Sequence, residues 1–97
     1  MRAKFFEKLI EEMRKNKDIF FLMGDTGYGL VEPIFEEFPE RSLNVGIAEQ
    51  NLIGIAAGLS SEGYKVITTT FAPFQTMRCC EHIKVNLGYM KQKVSMV

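Results

Sequence analysis

One carboxylate sits where a fold of this kind would present it to a ligand. Glu49 lies in Asn44-Val45-Gly46-Ile47-Ala48-Glu49-Gln50, which reads as a strand end, a turn and a helix start. In open α/β sheets ligands bind beyond the carboxyl ends of the strands, so Glu49 is where a ligand-facing carboxylate would be expected. The position also has a purely architectural reading. With Gly46 as N-cap, Glu49 falls at the third helical position, where glutamate closes a capping box or favours the helix dipole. Thr70-Phe71-Ala72-Pro73-Phe74 repeats the strand-to-helix arrangement. Phe71 and Phe74 are three apart and share one side of a first turn. They can form a flat slot for a heteroaromatic ring or serve as ordinary core residues.

The remaining candidates carry less chemistry. Gly24-Asp25-Thr26-Gly27-Tyr28-Gly29 is rich in turn residues, but its glycines match neither GxGxxG nor GKS/T, so no nucleotide cradle is expected. His82, the only histidine, reads as a structural residue in mid-helix. Cys79 and Cys80 are adjacent. Neighbouring cysteines on a helix point apart and rarely pair, and no spaced metal motif can be built from them. They suit small side chains in a reducing, cytoplasmic setting.

Alternating strands and helices must position these groups. Phe6, Leu9, Ile10 and Met13 recur at three-and-four spacing and predict an amphipathic helix over Ala3 to Asn16. The apolar run Ile19 to Met23 predicts a strand buried on both faces. A short helix is expected over Val31 to Glu37, ending before Pro39, then a strand over Ser42 to Val45. Glu49 to Ser61 reads as a helix ending near Gly63, and Tyr64 to Thr70, β-branched from Val66 onward, as a strand. Thr70 is placed to cap a single helix running to about Tyr89, with Pro73 harmless in its first turn. Lys93 to Val97 predicts a last strand. The pattern implies right-handed crossovers and one α/β domain over residues 1–97, a parallel sheet with helices on both faces. A parallel strand needs a covering helix and none follows Val97, so the domain is expected to be incomplete at the C-terminus. Gly54, Ala56, Ala57 and Gly58 let the third helix approach another backbone, either its own sheet or a second chain.

Composition excludes other classes. The chain has 97 residues, 46% hydrophobic and 25% charged, with twelve basic and twelve acidic side chains. This is an ordinary globular balance with no basic surplus to attract nucleic acid or an anionic membrane. No stretch approaches the ~20 apolar residues of a membrane span.

Residues 44–83 carry a specific resemblance. Gly46-Ile47-Ala48-Glu49-Gln50-Asn51, continuing through Gly54-Ile55-Ala56-Ala57-Gly58-Leu59, then Thr70-Phe71-Ala72-Pro73-Phe74 with Arg78, Glu81 and Ile83, resembles the pyrimidine-binding domain of transketolases. It is most similar to the C-terminal subunit of two-subunit transketolases. The resemblance implies a thiamine-diphosphate-binding fold and transfer of a two-carbon ketol unit between sugar phosphates. It implies that Glu49 is catalytic. In the family a glutamate at this place hydrogen-bonds N1′ of the aminopyrimidine and promotes loss of the thiazolium C2 proton. Burial raises a carboxyl pKa and suits it to share such a proton. Phe71 and Phe74 match the aromatic cofactor-binding positions. Met77 falls where the family often has Tyr, and Asp25 matches an acidic position near the cofactor.

The diphosphate and Mg²⁺ half of such a site, Gly-Asp-Gly followed by Asn, is absent. Gly24-Asp25-Thr26-Gly27 differs at its third residue. The metal and diphosphate are therefore expected on a partner subunit or a further domain, in a homo- or hetero-oligomer. The chain alone is not expected to be active. Two alternatives stand beside this reading: a truncated, non-catalytic remnant serving as an interaction module, and part of another thiamine enzyme. The latter would be a deoxyxylulose-phosphate synthase or a 2-oxo-acid dehydrogenase beta subunit. Asn51, where the synthases usually carry His, leans toward transketolase.

Overall fold

A computed structural model describes residues 1–97. Nine regular elements and a π-helical extension follow one another: α1 Arg2–Lys15, β1 Ile19–Met23, α2 Glu32–Glu37, β2 Ser42–Asn44, α3 Glu49–Ser61, β3 Lys65–Thr69, α4 Ala72–Thr76, α5 Cys80–His82 with its π-helical extension Ile83–Tyr89, and β4 Val94–Met96. The four strands form one parallel sheet in the order β2-β1-β3-β4. No helix is long and apolar enough to cross a membrane.

β1 is central, and its all-apolar sequence follows from that. Ile19, Phe21 and Met23 face one side of the sheet, with Phe6, Leu9 and Met13 of α1 and Ile34 of α2. Leu22 faces the other, with Leu52 and Ala56 of α3 and Val66 of β3. A strand covered on both faces has no solvent side to leave polar, so alternation disappears. The stripe on α1 predicted from its spacing is the one buried.

Orphan carbonyls at the end of α1 are collected by one side chain. The Arg41 guanidinium donates to the carbonyls of Met13 at 2.9 Å, Asn16 at 3.0 Å and Ile19 at 3.2 Å. Helix ends leave such acceptors unpaired, and a planar fork of donors satisfies several at once. This fixes α1 and β1 to the start of β2.

Two expectations are corrected by the fold. Gly46 is not the N-cap of α3. Ala48 is, and Glu49 is the first helical residue, without a capping-box hydrogen bond. Gly46 instead takes φ +77, a left-handed turn, so that Ile47 and Ala48 are spent before the helix begins. Nor does one helix run from Thr70 to Tyr89. Phe71 precedes α4 without a side-chain cap, and the Thr70 hydroxyl donates to the Gly24 carbonyl at 3.3 Å. A Cβ on Gly24 would come within 3.0 Å of that hydroxyl oxygen, so the close approach depends on glycine. After α4 the chain turns through Met77–Cys79 and resumes with wider hydrogen bonds, such as Met90 N–H to the Val85 carbonyl at 3.0 Å. The break buries Cys79 and turns Arg78 toward the start of α3. Irregular helical turns of this kind gather at functional sites.

Candidate active site

Parallel strands deliver their carboxyl ends to one edge of the sheet, and the sequence places its candidates there. Successive connections leave adjacent strands in opposite directions. The β1–β2 connection carries α2 on the α1 face, whereas β3 leads into α4, which packs beside α3. β1 and β3 therefore flank a topological switch point, the crevice where open α/β folds bind ligands.

Glu49 opens α3 at this edge and is only 4% exposed. A buried carboxylate is costly unless compensated. Two sources compensate it. The unpaired N–H groups and dipole of a helix start favour negative charge. Arg78, from the broken segment after α4, donates through a guanidinium nitrogen to Glu49 Oε2 at 3.3 Å. The Arg78 side chain is half exposed, so this partner can move into solvent. Burial pushes the neighbouring Cys79 thiol up, and the Glu49 carboxylate adds to that shift.

Arg78 also covers an aromatic face. Its guanidinium carbon lies 4.2 Å from the centroid of the Phe74 ring, a cation–π contact. Phe71 and Phe74 meet edge to face at 5.8 Å. Phe74 is partly buried, whereas Phe71 is 59% exposed. Neither is a closed core residue. Phe71 also borders a cavity of about 390 Å³ with Phe5, Phe6, Thr26, Thr69 and Thr70 at the ends of β1 and β3. Glu49, Arg78, Phe74 and Phe71 thus form one chain of contacts: carboxylate, guanidinium, ring, ring.

The other two candidates stand apart from that chain. Met77 is 81% exposed. Asp25, after β1, has its carboxylate engaged by the Tyr28 hydroxyl and by Asn44 Nδ2 at 3.0 Å. These bonds, the Tyr28 hydroxyl first, hold its carboxyl below the usual carboxylate range. His82 has a buried Nδ1 with no partner. Gly54 and Gly58 face open space, with nothing within 4 Å of an added Cβ, while Ala56 and Ala57 are buried against the sheet. Packing on its own sheet therefore explains the alanines of α3 and not its glycines.

Sequence reasoning gave Arg78 no role. A local signal existed, because Phe74 and Arg78 are four apart and such pairs share a helix face. The pairing with Glu49, 29 positions away, had none.

A parallel sheet with helices on both faces and a buried glutamate at the carboxyl ends of its strands makes this an open α/β domain. Residues 1–97 match the family described as "Transketolase, pyrimidine binding domain", and the chain belongs to it. It is 39% identical over its full length to the "Putative transketolase C-terminal section" of Methanocaldococcus jannaschii, covering 31% of that protein. It is 37% identical over 93% of its length to one of the apulose-4-phosphate transketolase subunits of Actinobacillus succinogenes, covering 29% of it. Among solved structures it is similar to a "Split gene transketolase, inactive beta4 tetramer", with a TM-score of 0.84, 39% identity, 95% of this chain and 31% of that one. The chain thus spans about three-tenths of the length of these relatives.

Proposed function

We propose that this chain supplies the half of a thiamine-diphosphate site that holds and polarises the aminopyrimidine ring, as part of a transketolase. The observation that carries the reading is Glu49: a buried carboxylate at the first position of α3, at the sheet's ligand edge, with a half-exposed arginine as its side-chain partner. A capping box would have used the carboxylate locally, and no such bond exists. The residues present fit an aminopyrimidine. Glu49 offers a carboxyl to share a proton with a ring nitrogen, and Phe74 and Phe71 offer faces that are not closed into the core.

When bound, thiamine diphosphate supplies the nucleophilic carbon that carries a two-carbon ketol unit between sugar phosphates. This chain's part is local. The Glu49 carboxyl holds and returns a proton at N1′, and its burial excludes the water that would compete for that bond. Phe74 and Phe71 orient the ring by stacking. Arg78 neutralises Glu49 while no ring is present, and yields both Glu49 and the Phe74 face when one is. Asp25 and Met77 are assigned to the rim of the same site. Mg²⁺ and the diphosphate are assigned to a diphosphate-binding subunit or domain, in a cytoplasmic oligomer. A neighbour's description as an inactive assembly of beta chains supports the view that this half does not act alone.

The test is reconstitution. The complete protein is mixed with its diphosphate-binding partner, thiamine diphosphate, Mg²⁺ and a ketose–aldose pair. Ketol transfer is expected from the mixture and from neither component separately. Full activity from the chain of residues 1–97 by itself would contradict the proposal.

A further inference from the structure

One amide side chain ties together the two loops from which the site is launched. Asn44 ends β2, in register with Met23 at the end of β1. Its Oδ1 accepts the backbone N–H of Asp25 at 3.1 Å and that of Gly46 at 2.9 Å. Its Nδ2 donates to Asp25 Oδ1 at 3.0 Å, and the Tyr28 hydroxyl donates to the same oxygen. Both tethered residues have left-handed backbones, Asp25 at φ +52 and Gly46 at φ +77. For a residue other than glycine such a conformation persists only where its surroundings over-determine it.

The clasp itself is polar, although Val45 between Asn44 and Gly46 packs against the Leu22 cluster. Asn44 and Tyr28 are exposed, and Asp25 and Gly46 are partly exposed. The Val45 N–H bond to the Met23 carbonyl at 2.9 Å holds the end of β2 to β1, and the Asn44 contacts carry that alignment on to Gly46. Three residues later the chain enters α3 at Glu49. Few side chains can make all three of the Asn44 contacts. Two N–H groups need an acceptor, and a carboxylate needs a donor, which an amide alone combines at this length. Aspartate would keep the acceptor and set a second carboxylate against Asp25.

We propose that Asn44 is a positioning residue for Glu49, clasping the β1 and β2 loops so that α3 starts with its carboxylate at the ligand edge. The inference rests on the reading of Glu49 as the proton partner of the aminopyrimidine. It assigns the Asp25 carboxylate a role in the clasp, where it receives Asn44 and Tyr28.

The test compares Asn44→Ala, Asn44→Asp and Glu49→Gln in the complete, assembled protein with thiamine diphosphate and Mg²⁺. Two properties are measured: hydrogen exchange of the Asp25 and Gly46 amides, and hydrogen–deuterium exchange at C2 of the bound cofactor. In Asn44→Ala the two amides should exchange faster. C2 exchange should slow by up to about 100-fold, the scale of a 1 Å misplacement. The melting temperature should stay close to wild type, because the side chain is exposed. Asn44→Asp should recover C2 exchange as pH falls from about 7 to 5. Two touching carboxylates share one proton at raised pKa, and the shared proton restores a donor. Tyr28, Glu32 and Glu36 are the other ionisable groups beside the cluster, and the wild-type profile over the same pH range is the control for them. The Asp25 bond pushes the Tyr28 phenol up, and the Gly29 N–H holds the Glu32 carboxyl down, so neither titrates in that window.

A wild-type C2 rate in Asn44→Ala, with a slow rate in Glu49→Gln, would overturn the positioning role and leave the Glu49 reading intact. A wild-type rate in Glu49→Gln would overturn the Glu49 reading itself. An Asn44→Asp profile that tracks Asn44→Ala at every pH would refute the donor argument.

Discussion

The two faces of the sheet are built from different materials. On the α1 face nine buried side chains from Phe6 to Phe38 form the larger apolar cluster, with only the small hydroxyl residues Ser42 and Thr69 buried beside it. On the α3 face the buried apolar cluster is four residues, Leu22, Leu52, Ala56 and Val66, and buried polar groups lie beside it: Glu49, Thr68 and Gln75. Each of these has a partner distant in sequence or on another element. The Thr68 hydroxyl donates to Gln75 Oε1, and Arg78 donates to Glu49. A buried polar group left unpaired costs about 1–3 kcal/mol, so such a face sacrifices stability unless its partners stay in place. One face holds the domain together, and the other gives up apolar area to present polar atoms at the ligand edge.

Mutations should separate the faces. The largest effect on folding is expected from the α1 face. Phe21 is fully buried against Phe6 and Phe35, and Phe21→Ala should destabilise by about 3–5 kcal/mol in denaturant melts. Cofactor affinity per folded molecule should not change. If affinity drops with stability, the two faces are coupled and the division is wrong.

Phe74→Ala should do the reverse on a smaller scale. Aromatic stacking contributes about 0.5–1.5 kcal/mol, so the thiamine diphosphate concentration for half-maximal activity should rise about 2- to 12-fold. Melting without cofactor should shift little, because Phe74 is only partly buried. A collapse of stability with unchanged affinity would make Phe74 a core residue.

Acid should act weakly and on exposed pairs. Arg14 grips Glu37 with two bonds of 2.6 and 2.8 Å, joining α1 to α2. That hydrogen bond, followed by the guanidinium charge, lowers the Glu37 carboxyl from its ordinary value. A depressed folded pKa contributes stability above the unfolded pKa, near 4, and loses it as pH falls through the folded value. Glu37→Gln should therefore flatten the acid limb of a stability–pH profile below about pH 4 and barely alter the pH 7 value, since exposed pairs contribute little. An acid limb unchanged in Glu37→Gln would remove this pair from the account.

The legible parts of the sequence were those set by period and composition. The α1 stripe, the two-sided β1 run, the Glu49–Ser61 helix and the strand over Lys65–Thr69 follow from side-chain spacing and β-branching, which depend only on near neighbours. The helix break at Met77–Cys79 was not legible. Local propensity runs through it, and the break depends on burying Cys79 and turning Arg78 toward α3. The cap of α3 was misplaced for a similar reason. Glycine before a helix suggests a cap, but Asn44 holds Gly46 in a turn, and the helix starts two residues later than that rule implies. At the candidate site, the places of Glu49, Phe71 and Phe74 at strand-to-helix junctions were readable from the chain, and the fold has them there. The Glu49–Arg78 pair and the Asn44–Asp25 clasp join residues 29 and 19 positions apart, and only the folded sheet brings them together.

Glu49→Gln tests the central claim most directly. The substitution preserves size and hydrogen-bonding reach but removes the exchangeable carboxyl proton. In the assembled protein, with thiamine diphosphate and Mg²⁺ bound, hydrogen–deuterium exchange at the cofactor C2 should slow by about 10²–10⁴-fold, the usual range for a lost acid–base group. Folding and assembly should persist. Equal exchange rates in wild type and Glu49→Gln would show that this carboxylate only stabilises the start of α3, and the functional assignment would fail.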